Sequence, residues 1–250
     1  MLDKQWVPPK TLEEKVRDFI VPDWLRIRER AWRERRKGEK EIKLIPQLLS
    51  NCNRAIDIGA NVGVWSYWLS KYAKQVESFE PNPKVFNALK NIKIKNVNSY
   101  NIALSNKTGS VDLLIPKGSK GFSNQGASLS SIKVQGEHKS ISIEAKRLDE
   151  YNFLDVDFIK IDVEGHEHEV IEGARETIKK FKPTMVIEME EKHNQIPIEE
   201  QISSVEKMGY QCCVFINETI IKIKEIDLDK FHRNPTNKDT YLFNFIFYPN

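Results

Sequence analysis

Cysteine is nearly absent. Cys52, Cys212 and Cys213 are the only three in 250 residues, and two of them are adjacent. No disulfide framework is available to such a chain, so a reducing, cytoplasmic compartment is expected. No apolar run reaches membrane length, and the first residues lack the charged-then-apolar pattern of a secretory leader, so a soluble protein without a transmembrane segment is expected. Internal repeats are missing too. Net charge is only +3, which by itself argues for no nucleic-acid partner. What is present is 40% hydrophobic residues, 10% aromatic, enough to build the core of one large α/β domain.

The charge that exists is unevenly spread. Residues 24–37 hold Arg26, Arg28, Arg30, Arg33, Arg35, Arg36 and Lys37 against Glu29 and Glu34, with Trp24, Leu25, Ile27, Ala31 and Trp32 interleaved. This pattern predicts a basic amphipathic helix ended at Gly38, within an N-terminal arm over 1–38. Three roles compete: a helix packed through its Trp and Leu face with solvated arginines, a surface for an anionic partner such as a glycolipid or membrane, and a nucleic-acid contact. The last is disfavoured, because no aromatic single-strand platform accompanies the helix.

From residue 39 onward the chain alternates, with a short helix over Glu41–Leu49 leading into the first strand. Strands are expected at 54–58, 75–80, 97–103, 157–162 and 184–189, and helices at 62–73, 83–93, 167–181 and 198–208. Alternation at this spacing predicts a mostly parallel sheet with helices on both faces. A β-rich Gly/Ser insertion spans about 109–147, with β-like runs at Val111–Ile115 and Ile141–Ala145. Two further runs, Gln211–Ile216 and Thr240–Tyr248, suit an antiparallel hairpin closing one edge.

The most informative stretch is Asp57-Ile58-Gly59-Ala60-Asn61-Val62-Gly63. A strand ends in an acid, a tight turn follows, and a helix begins, so backbone N–H groups can approach a nucleotide-like ligand. Asn61 stands where a dinucleotide fingerprint has its second glycine, which favours a ligand without a diphosphate. Glu80, ending the second strand before Pro81-Asn82-Pro83, is placed to accept from both hydroxyls of a ribose. Asn82 suits an N-cap and Pro83 the first helical position. The alternatives are a solvated loop acid for Glu80 and a local turn partner for Asp57.

A second cluster, Lys160-Ile161-Asp162-Val163-Glu164-Gly165-His166-Glu167, runs from a buried strand through two carboxylates into a helix. Ligands of open α/β sheets bind beyond the carboxyl ends of the strands, so Asp57, Glu80 and Asp162 should share one rim. Crowded strand-end carboxylates should have perturbed pKa values suited to proton abstraction. Glu167 reads as a structural acid at a helix start. His166 and His193 are candidates for a catalytic or substrate role. His138 and His232 read as surface residues. His166 and His168 are two apart and cannot chelate one ion from a helix. Asp162, Glu164 and Glu188 could offer oxygens to Mg²⁺, but no spacing demands it and no metal is expected.

These motifs occur in the order seen in the FkbM family of methyltransferases, which the chain resembles over roughly residues 40–249. The turn at Asn101-Ile102-Ala103-Leu104-Ser105, Gly109, Leu148-Asp149 and the closing run Asn244–Pro249 add to the resemblance. It implies a class I methyltransferase (Rossmann-like) fold, a seven-stranded sheet with one antiparallel strand, and methyl transfer from S-adenosylmethionine, usually to oxygen. By position, it implies that Asp57, Gly59, Ala60, Asn61 and Gly63 hold the methionine part and sugar edge. Glu80, with Pro81 and Asn82, would serve the ribose. Asn101 and Ala103 would border the adenine, and Asp162 and Glu164 would lie near the methyl, with Asp162 also touching the cofactor. Asp162, Glu164 and His166 are the candidate catalytic residues.

The resemblance implies a hydroxyl of a carbohydrate, glycolipid or related small molecule as acceptor. RNA, protein or an amine is the alternative, although no N-P-P-Y or D-P-P-Y run follows the fourth strand. A non-catalytic nucleotide-binding module is a further alternative, opposed by the acids at 57, 80, 162 and 164. The segment 117–136 mixes Gly118, Gly121, Gly126 and Gly136 with Ser119, Ser123, Ser128, Ser130 and Ser131 and with Lys117, Lys120 and Lys133. A long loop of this composition is expected to wall the acceptor pocket beside Glu164.

Overall fold

The structure is a computed structural model that describes residues 6–118, 121–122, 126–237 and 240–250. Helices α1 (Leu12–Ile20) and α2 (Asp23–Lys37) open the chain, then a 3₁₀ turn (Lys40–Leu44) and α3 (Ile45–Leu48). The alternating half follows: β1 (Arg54–Ile58), α4 (Val64–Leu69), β2 (Gln75–Phe79), α5 (Pro83–Lys90) and β3 (Val97–Tyr100). Next come β4 (Ala103–Leu104), β5 (Gly109–Gly118), β6 (Gly121–Phe122) and β7 (His138–Lys146). The rest is β8 (Val156–Ile161), α6 (Glu167–Gly173), α7 (Arg175–Phe181), β9 (Thr184–Glu188), α8 (Glu191–Asn194), α9 (Ile198–Glu206), β10 (Tyr210–Ile216), β11 (Thr219–Lys222) and β12 (Asn244–Pro249).

Among the described residues, eight strands form the main sheet in the order β11-β10-β12-β9-β8-β1-β2-β3. Strands β3, β2, β1, β8 and β9 pair in parallel, while β12 is antiparallel to both β9 and β10. The central strands are buried on both faces, which is why they read as unbroken apolar runs. Ala55, Val76, Phe158, Val186 and Ile246 point to one face and pack with Trp65 and Trp68. Ile56, Ile58, Ile159, Ile161, Met185 and Phe245 point to the other, packing with Val170 and Ile178.

Four expectations need correction. The strand drawn over 97–103 is two: β3 stays in the main sheet, and β4 leaves it to pair with β7 beside β5 and β6. The helix over 167–181 breaks at Ala174, because Gly173 packs so close to the Ser105 carbonyl that a Cβ would come within 1.9 Å of it. The last two runs do pair with each other, but β12 inserts between β9 and β10, and the edge is closed by the unforeseen β11. The sheet thus has one more strand than the expected seven, and that extra strand is antiparallel. His232, expected at the surface, is buried and its Nδ1 lies 2.7 Å from the Leu242 carbonyl oxygen.

The arm contains α1, which amphipathicity did not single out, and α2 packs differently from the expected Trp and Leu face. Ile27 and Ala31 are the buried residues of α2, whereas Trp24 and Leu25 are exposed. The Trp68 indole donates to the Ala31 carbonyl at 3.0 Å, and the Trp32 and Trp68 rings meet edge to face at 5.0 Å.

Candidate active site

A cavity of about 340 Å³ opens at the carboxyl ends of β1, β2 and β8, on either side of the point where chain order reverses between β1 and β8. Its lining brings together Asp57, Gly59, Ala60, Asn61, Glu80, Pro81, Asn82, Ala103, Asp162, Glu164 and His166. Two expected positions stand outside it. Gly63 has φ +89° and faces Ile92 and Leu89, where a Cβ would come within 2.2 Å, so its role is to let α4 pack on α5. Asn101 donates its amide to the carbonyls of Glu80 (2.8 Å) and Pro81 (2.9 Å), bracing their loop, while its neighbour Ile102 lines the cavity.

The loop after β1 is shaped by backbone constraints. Gly59 has φ +78°, and Asn61, at φ +50°, accepts from the Val62 amide through its own Oδ1 at 2.8 Å. The Asn61 amide donates to Glu80 Oε2 at 2.9 Å and the Asn82 amide to Glu80 Oε1 at 2.8 Å. Both Glu80 oxygens are thereby aimed, each keeping lone-pair capacity for a further donor. Burial, opposed by these two amides, pushes the Glu80 carboxyl up to about 7. Asp57 is held from below by the Ser66 hydroxyl at 2.5 Å, and burial raises it to about 6. Asn82 caps α5 through the Lys84 amide (3.1 Å), while its buried Nδ2 has no partner. That is a spare donor on the cavity wall.

Burial also raises Asp162 to about 7, against the lowering influence of Lys160 and with Glu39, Glu164 and Glu167 adding to it. Glu164, at φ +57°, is held by Lys133 Nζ at 2.5 Å. The same ammonium sits 2.5 Å from His193 Nε2, whose own pKa burial lowers. Lys133 comes from the insertion and was noted in the sequence only as one polar loop residue. His166 Nε2 lies 2.9 Å from the Ser105 hydroxyl and its Nδ1 3.4 Å from Glu169, so both ring nitrogens are occupied. Glu167 accepts from the Gly165 amide at 2.8 Å and is buried at the start of α6, as a structural acid would be.

The insertion reaches the same mouth. Leu113 and Gly126–Leu129 line the cavity, Ser128 Oγ donates to the Glu164 carbonyl at 2.6 Å, and Ser130 Oγ to the His193 carbonyl at 3.3 Å. Ser119, Lys120 and Ser123 lie outside the described residues. Further lining groups come from α2 and the turn after it: Arg30 and Glu34 line the cavity, as does Glu39, which accepts from the Trp65 indole at 2.7 Å.

The lining includes the carboxylates of Glu34, Glu39, Asp57, Glu80, Asp162, Glu164 and Glu188, against the cations of Arg30 and Lys160. Such an excess of acid suits a ligand carrying positive charge, and S-adenosylmethionine carries a sulfonium and an ammonium. The Glu80 carboxylate, the orphaned buried Asn82 amide and the side-chain-free Gly59 stand on the same wall. Asp162, Glu164 and Glu188 also place oxygens within 4.8 Å of one another, a spacing open to a hard cation.

No curated protein sequence matches the chain. Among solved structures, the chain is similar to a methyltransferase FkbM from Methylobacillus flagellatus, at 15% identity and a TM-score of 0.52, covering 80% of this chain and 44% of that one. The chain thus spans less than half the length of that relative. It is also similar to a TehB-like SAM-dependent methyltransferase from Corynebacterium glutamicum, at 12% identity and a TM-score of 0.45, covering 91% of this chain and 98% of that one. The methyltransferase FkbM domain matches residues 57–212, from the acid that opens the first turn to β10. With that match and this fold, the chain belongs to the FkbM methyltransferase family, whose methyl donor is S-adenosylmethionine.

Proposed function

We propose that the protein methylates a hydroxyl oxygen of a carbohydrate, glycolipid or related small molecule. The observation that carries this reading is Asp162. It is a strand-end carboxyl held near neutrality, in a cavity that the insertion also lines, through Leu113 and Gly126–Leu129. When bound, the cofactor supplies a methyl group already activated on sulfur. The chain's own task is to align an oxygen and take its proton, and a group titrating near the working pH is best suited to that. Glu80 accepts from the ribose hydroxyls, Asp57 and the Gly59–Asn61 turn hold the methionine end, and Asp162 receives the acceptor's proton. Glu164, fixed by Lys133, orients the acceptor, and His166 stands beside them with its ring fixed by Ser105 and Glu169. Incubation with isotopically labelled S-adenosylmethionine and a panel of glycans and glycolipids, followed by mass spectrometry of the products, tests this. Label appearing only on nitrogen, or only on RNA or protein, overturns it.

We also propose that the outer face of the arm meets an anionic surface such as glycolipid headgroups. Phe19, Ile20, Trp24 and Leu25 are exposed beside the exposed Arg28, Arg33, Arg36 and Lys37, a pairing of apolar and basic groups that suits an interface. Flotation with anionic against neutral vesicles tests it, and equal behaviour in both defeats it.

A further inference from the structure

Among the described residues, Arg30 is the basic residue of the arm that lines the cavity. On α2 it shares a face with Ile27 and Glu34, three and four residues away, and it stands next to Ala31; Ile27 and Ala31 are the residues that bury against the domain. Its position is fixed by its neighbours, because the Trp68 indole holds the Ala31 carbonyl one residue on. Yet the guanidinium is poorly served. Its Nε is buried with no hydrogen-bond partner, and the nearest carboxylate oxygen, on Glu34, is 4.0 Å away. A buried N–H without a close acceptor is costly, and partial burial lowers the guanidinium's pKa.

The cavity that Arg30 borders holds seven lining carboxylates and, besides Arg30, only the cation of Lys160 among its described residues. Lys160 is already engaged: its ammonium donates to the Ile161 carbonyl (3.2 Å) and Asn244 Oδ1 (3.3 Å) and stands over the Trp65 ring. A zwitterionic ligand that brings a carboxylate into so acidic a site needs a cation to receive it. The acids accommodate its positive groups, and Arg30, beside the Asn61–Val62 end of the turn, is the cation left for the negative one.

We propose that Arg30 receives the carboxylate of the methionine moiety of S-adenosylmethionine, so that the arm, outside the family-matched region, completes the cofactor site. Guanidinium and carboxylate match as a planar fork, and the pairing supplies the close acceptor that Arg30 otherwise lacks. It also couples cofactor binding to docking of α2, because the residue making the contact lies between the two that pack the helix. Arg30 and Val62 border a second cleft as well, about 250 Å³, between the arm and α5, so the assignment needs a ligand-specific test.

Titration calorimetry on the full chain with S-adenosylhomocysteine and with 5′-methylthioadenosine, which lacks the amino-acid end, supplies it. Arg30→Met should weaken S-adenosylhomocysteine by roughly 10- to 100-fold while leaving methylthioadenosine nearly unchanged. Arg30→Lys, which keeps the charge but not the fork, should fall between. Unchanged S-adenosylhomocysteine affinity in Arg30→Met overturns the proposal and turns Arg30 toward the second cleft. Equal weakening of both ligands, with a lowered unfolding midpoint, also overturns it and makes Arg30 a packing residue. Both readouts are binding alone, so they stand whatever the methyl acceptor proves to be.

Discussion

Gly59 and Asp162 meet backbone to backbone: a Cβ on Gly59 would stand 1.7 Å from the Asp162 carbonyl oxygen. The approach is set one residue earlier, where the Asp162 amide donates to the Ile58 carbonyl at 2.9 Å. The turn proposed to hold the cofactor and the strand end that carries the proposed base are therefore one rigid unit. Gly59→Ala should cost about 2 kcal/mol or more, since a Cβ at φ +78° meets a backbone atom that cannot swing aside. Gly136→Ala, also at positive φ but with nothing within 4 Å, should cost about 1 kcal/mol. Thermal unfolding of both variants checks this, and S-adenosylhomocysteine binding should fail only in the first.

Glu80 holds its place with two backbone amides, so its loss has a cost on either side of the interface. Glu80→Ala should weaken S-adenosylmethionine binding by at least about tenfold, the scale of a hydrogen bond to a charged group. Glu80→Gln should do little better, because its amide nitrogen must face either the Asn61 or the Asn82 N–H. Calorimetry showing unchanged affinity would remove Glu80 from the site.

Asp162 and Glu164 are separable. Asp162→Asn removes the group held near neutrality and should reduce methyl transfer by about 10²-fold or more. Glu164→Gln keeps shape but loses the charge facing Lys133, and should lower turnover with cofactor affinity little changed. If Asp162→Asn turns over normally while Glu164→Gln does not, the roles are exchanged. Single-turnover rates at saturating cofactor decide between them.

The buried acids also predict a pH dependence with a definite sign. Asp57 is raised to about 6, and Glu41, Glu80, Asp162 and Glu167 to about 7, all chiefly by burial. Unfolded, these groups titrate near 4. The folded chain therefore binds more protons than the unfolded one between roughly pH 4 and 7, and stability is lost as pH rises through that window. The cofactor-free unfolding midpoint should be higher at pH 5.5 than at pH 8. Cofactor affinity should run the other way, because the ribose and the cationic groups favour ionised acids. Calorimetry in buffers of different ionisation heat should show protons released on binding near pH 6.5. A flat midpoint and no proton release would mean the acids are ionised throughout.

Much of this was local and therefore readable in the chain itself. The acid-turn-helix run at Asp57–Gly63, the Glu80-Pro81-Asn82 strand end and the Lys160–Glu167 strand-to-helix passage each depend on neighbours within a few residues. Apolar runs, caps and prolines mark such units directly, as Asn82 and Pro83 mark the start of α5. Central strands were legible because burial on both faces demands continuous apolar sequence. Gly63 shows the limit even here: the resemblance implied a place beside the cofactor, whereas the packing of Ile92 and Leu89 against it shows what the missing side chain is for.

Sequence alone therefore determined the order of elements, the positions of the strand-end acids and the family to which they belong. The tertiary structure decided which groups meet. The insertion of β12 between β9 and β10 and the departure of β4 from the sheet are long-range pairings that leave no periodic signature. So are the approach of Lys133 to Glu164 and His193, and the place of Arg30 on the cavity wall. The physical reason is the same in each case. A side chain's local pattern states how much of it can be buried, whereas its partner is set by distant segments that converge only when the sheet closes.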